Sequence, residues 1–173
     1  GGLSLELVQL IATQGVVDGG GFVQHESGKY LPGGEHRDVR AVACGFAFLM
    51  GMKCSDPAFG GYVVSTPLAF RFLWRCIGGR PVTGVTETDL VTLADLDDVR
   101  TLRTLLAWPA EVDQWGIAWE GGDRDGQPLQ RDERHRYVRD RCRSKLAAAA
   151  ETPGVRLFRD TFLGAFAGDL TPA

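Results

Sequence analysis

The segment at residues 39–52 constrains the fold most, because it is apolar on every side of a helix. Apolar residues recur along it at the i, i+3, i+4 and i+7 spacing of one helix face. That face carries Val39, Val42, Ala43, Phe46, Leu49 and Met50, and the opposite side carries Ala41, Cys44, Phe48 and Met52. A helix without a polar face is stable in water only when other elements cover it. We therefore predict a mainly α fold, a compact bundle of about six helices around a buried central helix at about 38–53, with one or two small β-hairpins.

Three other segments are predicted to cover the central helix. Leu3–Ile11, Ala69–Ile77 and Phe158–Phe166 each place apolar residues at helical spacing. Phe46 would then lie inside the core. Its replacement by alanine should lower the free energy of unfolding by about 3–5 kcal/mol.

Local sequence signals predict where further helices and strands begin. Ser65-Thr66-Pro67 is typical of a helix start, since a capping hydroxyl precedes a proline of the first turn. Thr86-x-x-Asp89 and Thr92-x-x-Asp95 have the spacing of capping boxes and predict two more helix starts. Residues 115–119 alternate between large apolar and small side chains and predict a strand that returns through a turn at 121–127.

The length of the chain, 173 residues, predicts a single domain over residues 1–173. A subdivision into a helical core at 1–79 and a second segment at 84–150 also fits the pattern, with a connector at residues 80–83. The second segment resembles a helix-turn-helix followed by a hairpin at 115–130.

Charge and composition exclude some partners and point to a source. The formal net charge is −3, so the whole chain has no reason to seek nucleic acid or an anionic membrane. The longest apolar run, at 41–52, is too short to cross a bilayer, and no membrane partner is expected. The 16 arginines against 3 lysines, with no asparagine, indicate a GC-rich source.

The four cysteines predict a reduced, cytoplasmic protein. Cys44, Cys54, Cys76 and Cys142 form no C-x-x-C pair, which excludes zinc-ribbon and thioredoxin-like sites. A chain of this length has enough core to fold without disulfides. We expect no metal and no cofactor.

Cys44 is the candidate for nucleophilic chemistry. It precedes Gly45 near the start of the apolar helix and follows a glycine-rich loop. A thiol at a helix N-terminus has a lowered pKa, and in part this placement resembles that of papain-like hydrolases. A thiol hydrolase or transferase would need His135 or His25 as its base. The alternative is a buried structural cysteine.

A histidine- and glutamate-containing loop is the candidate for metal or substrate binding. Two histidines and two glutamates flank it: His25, Glu26, Glu35 and His36. Their spacing matches no known set of metal ligands. We therefore interpret them as exposed polar residues.

An acidic turn offers a second candidate for metal binding. Asp123-x-Asp125-Gly126 resembles the middle of a calcium-binding loop, with Asp132 where the closing ligand would stand. However, glycine occupies the first ligand position, at Gly121. Because Asp-Gly is typical of tight hairpin turns, we predict a turn.

Residues 131–145 hold the clearest charge cluster, with seven basic and three acidic residues. Our leading hypothesis is a non-enzymatic interaction or regulatory domain that binds a protein or small-molecule partner through this helix. The expected partner-binding residues are Arg134, Arg136, Arg139 and Arg143. The first alternative is the thiol enzyme with Cys44 and His135. The second is a winged-helix nucleic-acid binder with Arg100 and Arg103 as readers, although Asp95, Asp97 and Asp98 would face the phosphates.

Overall fold

The computed structural model describes residues 2–55, 66–79 and 87–167. In these ranges the chain is mainly α-helical and carries a single two-stranded antiparallel hairpin, which confirms the predicted fold class. The helices are α1 (Gly2–Val17), α2 (Arg37–Ser55), α3 (Phe70–Ile77), α4 (Glu87–Leu93), α5 (Arg100–Ala107), α6 (Arg134–Ala150) and α7 (Pro153–Ala167). The strands are β1 (Phe22–Gln24) and β2 (Tyr30–Pro32).

The central helix of the fold is α2. It packs mainly against α7 and also against α1. The ring of Phe46 lies 5.2 Å from that of Phe70 and 6.5 Å from that of Phe158, measured between centroids. One side of α2 stays open to solvent, however, where Phe48 is 54% exposed. The apolar segment therefore has a buried face and an apolar outer face.

The first helix, α1, continues through Gly15 and ends at Val17. Gly15 faces α2, where a Cβ on it would lie 3.6 Å from Val42 Cγ2, an ordinary van der Waals distance. The buried residues of α1 are Ala12 and Val16.

The hairpin β1–β2 joins α1 to α2, and its second strand packs against α7. Its register pairs Val23 with Leu31, and the turn contains Gly28 at a φ of 78°. The start of α7 comes so close that a Cβ on Gly154 would lie 2.6 Å from the backbone nitrogen of Gly34. A glycine is therefore required at this contact.

The third helix begins a few residues after the start that Ser65-Thr66-Pro67 predicts, and its first turn is capped by a residue distant in the sequence. Thr66 does not cap α3; its hydroxyl donates to the carbonyl of Ala12, and the helix starts at Phe70. The buried carboxylate of Asp95 accepts hydrogen bonds from the N–H groups in the first turn of α3. The predicted capping box at 92–95 is therefore wrong, because Thr92 lies inside α4 and Asp95 follows it.

A buried ion pair links α3 to α4. Arg75 Nη1 lies 2.5 Å from Asp89 Oδ1, and both side chains are largely buried. Asp89 therefore faces α3. Ser65, Thr86 and the connector at 80–83 lie outside the described residues.

The strand predicted at residues 115–119 does not form. A 3₁₀ helix covers Ala110–Gln114, and Trp115 ends it. The following chain folds back on itself through one antiparallel bridge between Ala118 and Pro128. We call residues 117–129 the bridge hairpin. None of the helices in the described ranges is long and apolar enough to cross a membrane.

Candidate functional site

The bridge hairpin lies against α6 through two buried aromatic residues. The rings of Trp119 and Tyr137 meet edge to face, with centroids 5.3 Å apart and planes at 78°. Both side chains are buried. Edge-to-face aromatic pairs stabilise such contacts beyond the burial of their area. Trp119 therefore anchors a segment that has little regular structure of its own.

Charged groups reinforce the anchor. Glu133 accepts hydrogen bonds from Arg124, at 2.6 Å, and from the indole N–H of Trp119, at 3.4 Å. The bond from Arg124 is the main reason that the pKa of Glu133 lies below its usual value. Arg141 on α6 forms an ion pair with Glu120 on the hairpin.

Two arginines lie over the indole of Trp119. The guanidinium carbon of Arg124 is 4.6 Å from the ring centroid, and that of Arg136 is 5.7 Å away. At these distances the π system attracts a cation. The indole of Trp119 therefore lies beside two guanidinium groups.

Two clefts open on either side of the ion pair between Glu120 and Arg141. The first, which we call the α6 cleft, has a volume of about 340 Å³ and the second, the α5 cleft, about 430 Å³. Glu120, Tyr137 and Arg141 line both clefts and form the wall between them. The α6 cleft is also lined by Trp119, Asp123, Arg124, Arg136, Asp140 and Ser144.

The α5 cleft lies between α5 and the bridge hairpin. Leu102 and Leu105 of α5 line it but are buried, and Ile117 of the hairpin lines it as a half-buried residue. Charged residues stand around it, including Lys145, which is paired with Asp97. Of the three apolar residues, Ile117 is therefore the most exposed to this cleft.

Most of the basic residues predicted on α6 serve contacts within the chain. Arg134 donates to the carbonyls of Leu106 and Arg131, and Arg139 lies 3.5 Å from Asp140. Arg143 is exposed. Of the four arginines expected to bind a partner, Arg136 lines the α6 cleft.

The residues of the thiol-enzyme hypothesis are not brought together. Cys44 is half-buried on α2, whereas His135 is exposed at the start of α6. In the described part of the chain, no hydrogen bond joins Cys44 to His135 or His25. His135 also lies outside the buried face of α6, which carries Val138, Cys142 and Leu146. The side chain of Cys54 is not among those described.

The other candidate residues have local structural roles. His36 caps α2, since its Nδ1 accepts the N–H of Asp38 at 3.2 Å. Asp125 closes the turn of the bridge hairpin by accepting the N–H of Gly121 at 2.7 Å. Arg100, a reader in the winged-helix hypothesis, is paired with Asp98 at 2.6 Å. No group of three or more potential metal-ligating side chains occurs among residues 2–55, 66–79 and 87–167.

A second surface feature is apolar. Trp74 on α3 and Phe166 on α7 both contact the buried ring of Phe162, at 6.0 and 5.9 Å between centroids. Trp74, Leu163 and Phe166 are each more than two-fifths exposed. We call these three residues the aromatic face.

Sequence reasoning missed the residues that build the clefts, Trp119, Glu120, Tyr137 and Arg141. The alternation at 115–119 drew attention to the right segment but predicted a strand. Nothing in the spacing shows that Glu120 meets Arg141, because they are 21 residues apart on different elements. No family model, curated protein or solved structure matches this chain.

Proposed function

We propose that this protein is a non-enzymatic binding domain whose partner occupies the clefts between the bridge hairpin and α6. The observation that carries this proposal is the wall formed by Glu120, Tyr137 and Arg141, which is shared by two adjoining clefts. The partner is a protein segment or a small molecule. The free thiols of Cys44, Cys76 and Cys142 support a reducing compartment, the cytoplasm.

The composition of the clefts supports binding. Ligand sites are typically concave, with apolar and aromatic walls and a few polar groups that orient the ligand. Here Trp119 and Tyr137 supply aromatic walls, and Ile117 adds an apolar side chain. Arginine and aromatic side chains are also enriched at the residues that contribute most to binding.

The position of the site is tested by mapping weakly binding probes with NMR. Acetate, guanidinium and phenol are titrated separately into the ¹⁵N-labelled protein at equal ionic strength. We expect the largest amide shifts at residues 119–124 and 136–145, because these line the clefts. Tyr137→Ala, which removes the shared wall, should abolish the common set of shifts.

Two results would refute the proposed site. One is a set of shifts concentrated on the aromatic face, which would move the binding surface to α3 and α7. The other is an unchanged map in Tyr137→Ala. Leu163→Ala, on the aromatic face, is the matched control and should leave the cleft shifts in place.

A further inference from the structure

We propose that the outer face of α1 is a docking surface for a second copy of this chain, in which the two α1 helices pair in parallel. Leu7, Leu10, Gln14 and Val17 form this face, which we call the α1 seam. The seam is separate from the two clefts, which are lined by residues between 97 and 145. The inference is therefore independent of the proposed function.

The α1 seam leaves large apolar side chains in water. Leu7, Leu10 and Val17 are 57%, 49% and 52% exposed. The opposite face of the same helix is buried in the core, with Ala12 and Val16 almost fully covered. A helix that is apolar on both faces is stable in water only when both faces are covered. The core of this chain covers one of them.

The spacing of the seam residues indicates what covers the other face. Residues 7, 10, 14 and 17 follow one another at intervals of three, four and three. These are the a and d positions of a heptad repeat, whose side chains fit into the holes of a facing helix. A narrow stripe of this kind is the seam of a coiled coil, whereas a helix that faces a core has a wider one. The occupant is therefore an α-helix.

The charges beside the seam favour a second copy as the source of that helix. The e and g positions inside the seam are Ile11 and Thr13, which are uncharged. A partner helix with charged e and g positions would gain no ion pairs there. In a parallel pair of copies, Glu6 faces Ile11 and Asp18 faces Thr13, so no like charges meet. Two copies therefore match each other in charge.

Gln14 favours a parallel pair with the two helices in register. Like positions face each other in such a pair, so the two Gln14 side chains meet and their amides can hydrogen-bond. In an antiparallel pair Gln14 would face Leu10, where its amide would lose water without gaining a partner. A single polar residue at an a position fixes the register of parallel coiled coils in this way.

The position of α1 in the fold leaves room for a second copy. The helix packs on α2 through the face opposite the seam, and the carbonyl of Ala12 on that face accepts the hydroxyl of Thr66. The two domains would therefore lie on opposite sides of the paired helices, related by a twofold axis. A stable dimer buries about 800 Å² per partner, and a seam of about three turns buries less. We expect a weak dimer, with a dissociation constant on the order of 100 μM.

The test is sedimentation equilibrium of the full chain between about 10 μM and about 1 mM, which brackets the expected constant. A reducing buffer keeps the cysteines from linking the copies. Leu10→Glu places two carboxylates face to face and should weaken the dimer by about tenfold or more. Gln14→Leu removes the polar layer and should tighten the dimer by about tenfold.

The aromatic face supplies a matched control. Leu163→Glu makes the same change as Leu10→Glu at a position of similar exposure, 44% against 49%. It should leave the dissociation constant within about twofold of the wild type, because Leu163 lies outside the seam. Circular dichroism of each variant checks that it is folded.

The inference is overturned if the wild type is monomeric at about 1 mM, well above the expected constant. It also fails if Leu10→Glu and Leu163→Glu dimerise equally well, or if Gln14→Leu gives no tighter dimer. A dimer that only Leu163→Glu disrupts would assign the contact to the aromatic face. A monomer that binds zwitterionic lipid vesicles through Leu10 would make the seam a lipid-binding surface and refute the pairing.

Discussion

The carboxylate of Asp95 accepts a hydrogen bond from the backbone N–H of Arg71, with 3.0 Å between Oδ2 and the nitrogen. The next amide, that of Phe72, donates to the same oxygen at 3.3 Å. The backbone carbonyl of Asp95 in turn accepts the hydroxyl of Ser27 at 2.6 Å. The turn after α4 is therefore fixed to the start of α3 and to the β-hairpin.

Replacement of Asp95 should destabilise the protein because it leaves buried N–H groups of α3 without an acceptor. We expect Asp95→Ala to lower the free energy of unfolding by about 2 kcal/mol. Urea denaturation followed by circular dichroism measures the change. Asp132→Ala, at an exposed position, should change stability by less than about 0.5 kcal/mol. Equal losses in the two variants would refute the capping role of Asp95.

Two glycine-to-alanine substitutions should have opposite effects on stability. At Gly154 the new Cβ would lie 2.6 Å from the nitrogen of Gly34 and still closer to the carbonyl oxygen of Pro32. Because both neighbours are backbone atoms, we expect a loss of about 3 kcal/mol. Gly51 lies within α2 with open space around its Cβ position, so Gly51→Ala should gain about 0.5–1 kcal/mol. If thermal unfolding shows that both substitutions change the stability in the same direction, the contact between α7 and β2 is contradicted.

The attachment of the bridge hairpin should weaken in acid. The hydrogen bond from Arg124 holds the pKa of Glu133 below its ordinary value of 4.5. The stabilisation is therefore complete above that value and is lost as the pH falls through the lower pKa of the folded state. The indole N–H resonance of Trp119, which donates to Glu133, should shift over that acidic range. In Arg124→Gln the same shift should occur at higher pH, and an unchanged midpoint would contradict the pairing.

The buried thiols should react slowly and destabilise the fold in base. Burial raises the pKa of Cys142 and of Cys76 from 9.0 to about 11. Iodoacetamide near pH 8 should therefore modify Cys44 before Cys142, as followed by mass spectrometry. A raised pKa in the folded state means that the stabilisation is present below pH 9 and is lost as the pH rises through about 11. Fast modification of Cys142 in the folded protein would show that its helix face is not buried.

The fold class could be predicted because it depends on the periodic spacing of apolar residues along the sequence. The helical spacing at 39–52 identified α2, and the spacing around Phe158 identified α7, with which α2 makes its most extensive contact. The boundaries were less predictable. The helix α3 starts where the carboxylate of Asp95, 23 residues away, accepts an N–H group of its first turn.

The candidate site was less accessible to sequence reasoning because it depends on contacts between distant residues. The arginines of α6 were visible as a charge cluster, but their partners Glu120 and Glu133 were not. Trp119 looked like part of a strand because alternation describes a half-buried extended segment equally well in a strand or in a loop. Only the folded chain shows that its indole lies beside α6 with two guanidinium groups above it.

The proposed function requires the bridge hairpin to lie on α6 in solution. The most direct measurement is a NOESY spectrum that connects the indole protons of Trp119 to the ring protons of Tyr137, with Trp119→Phe used to assign the indole. Because the ring centroids are 5.3 Å apart with the rings edge to face, clear cross-peaks are predicted. Absent cross-peaks, with residues 117–129 at random-coil shifts, would contradict the proposed site.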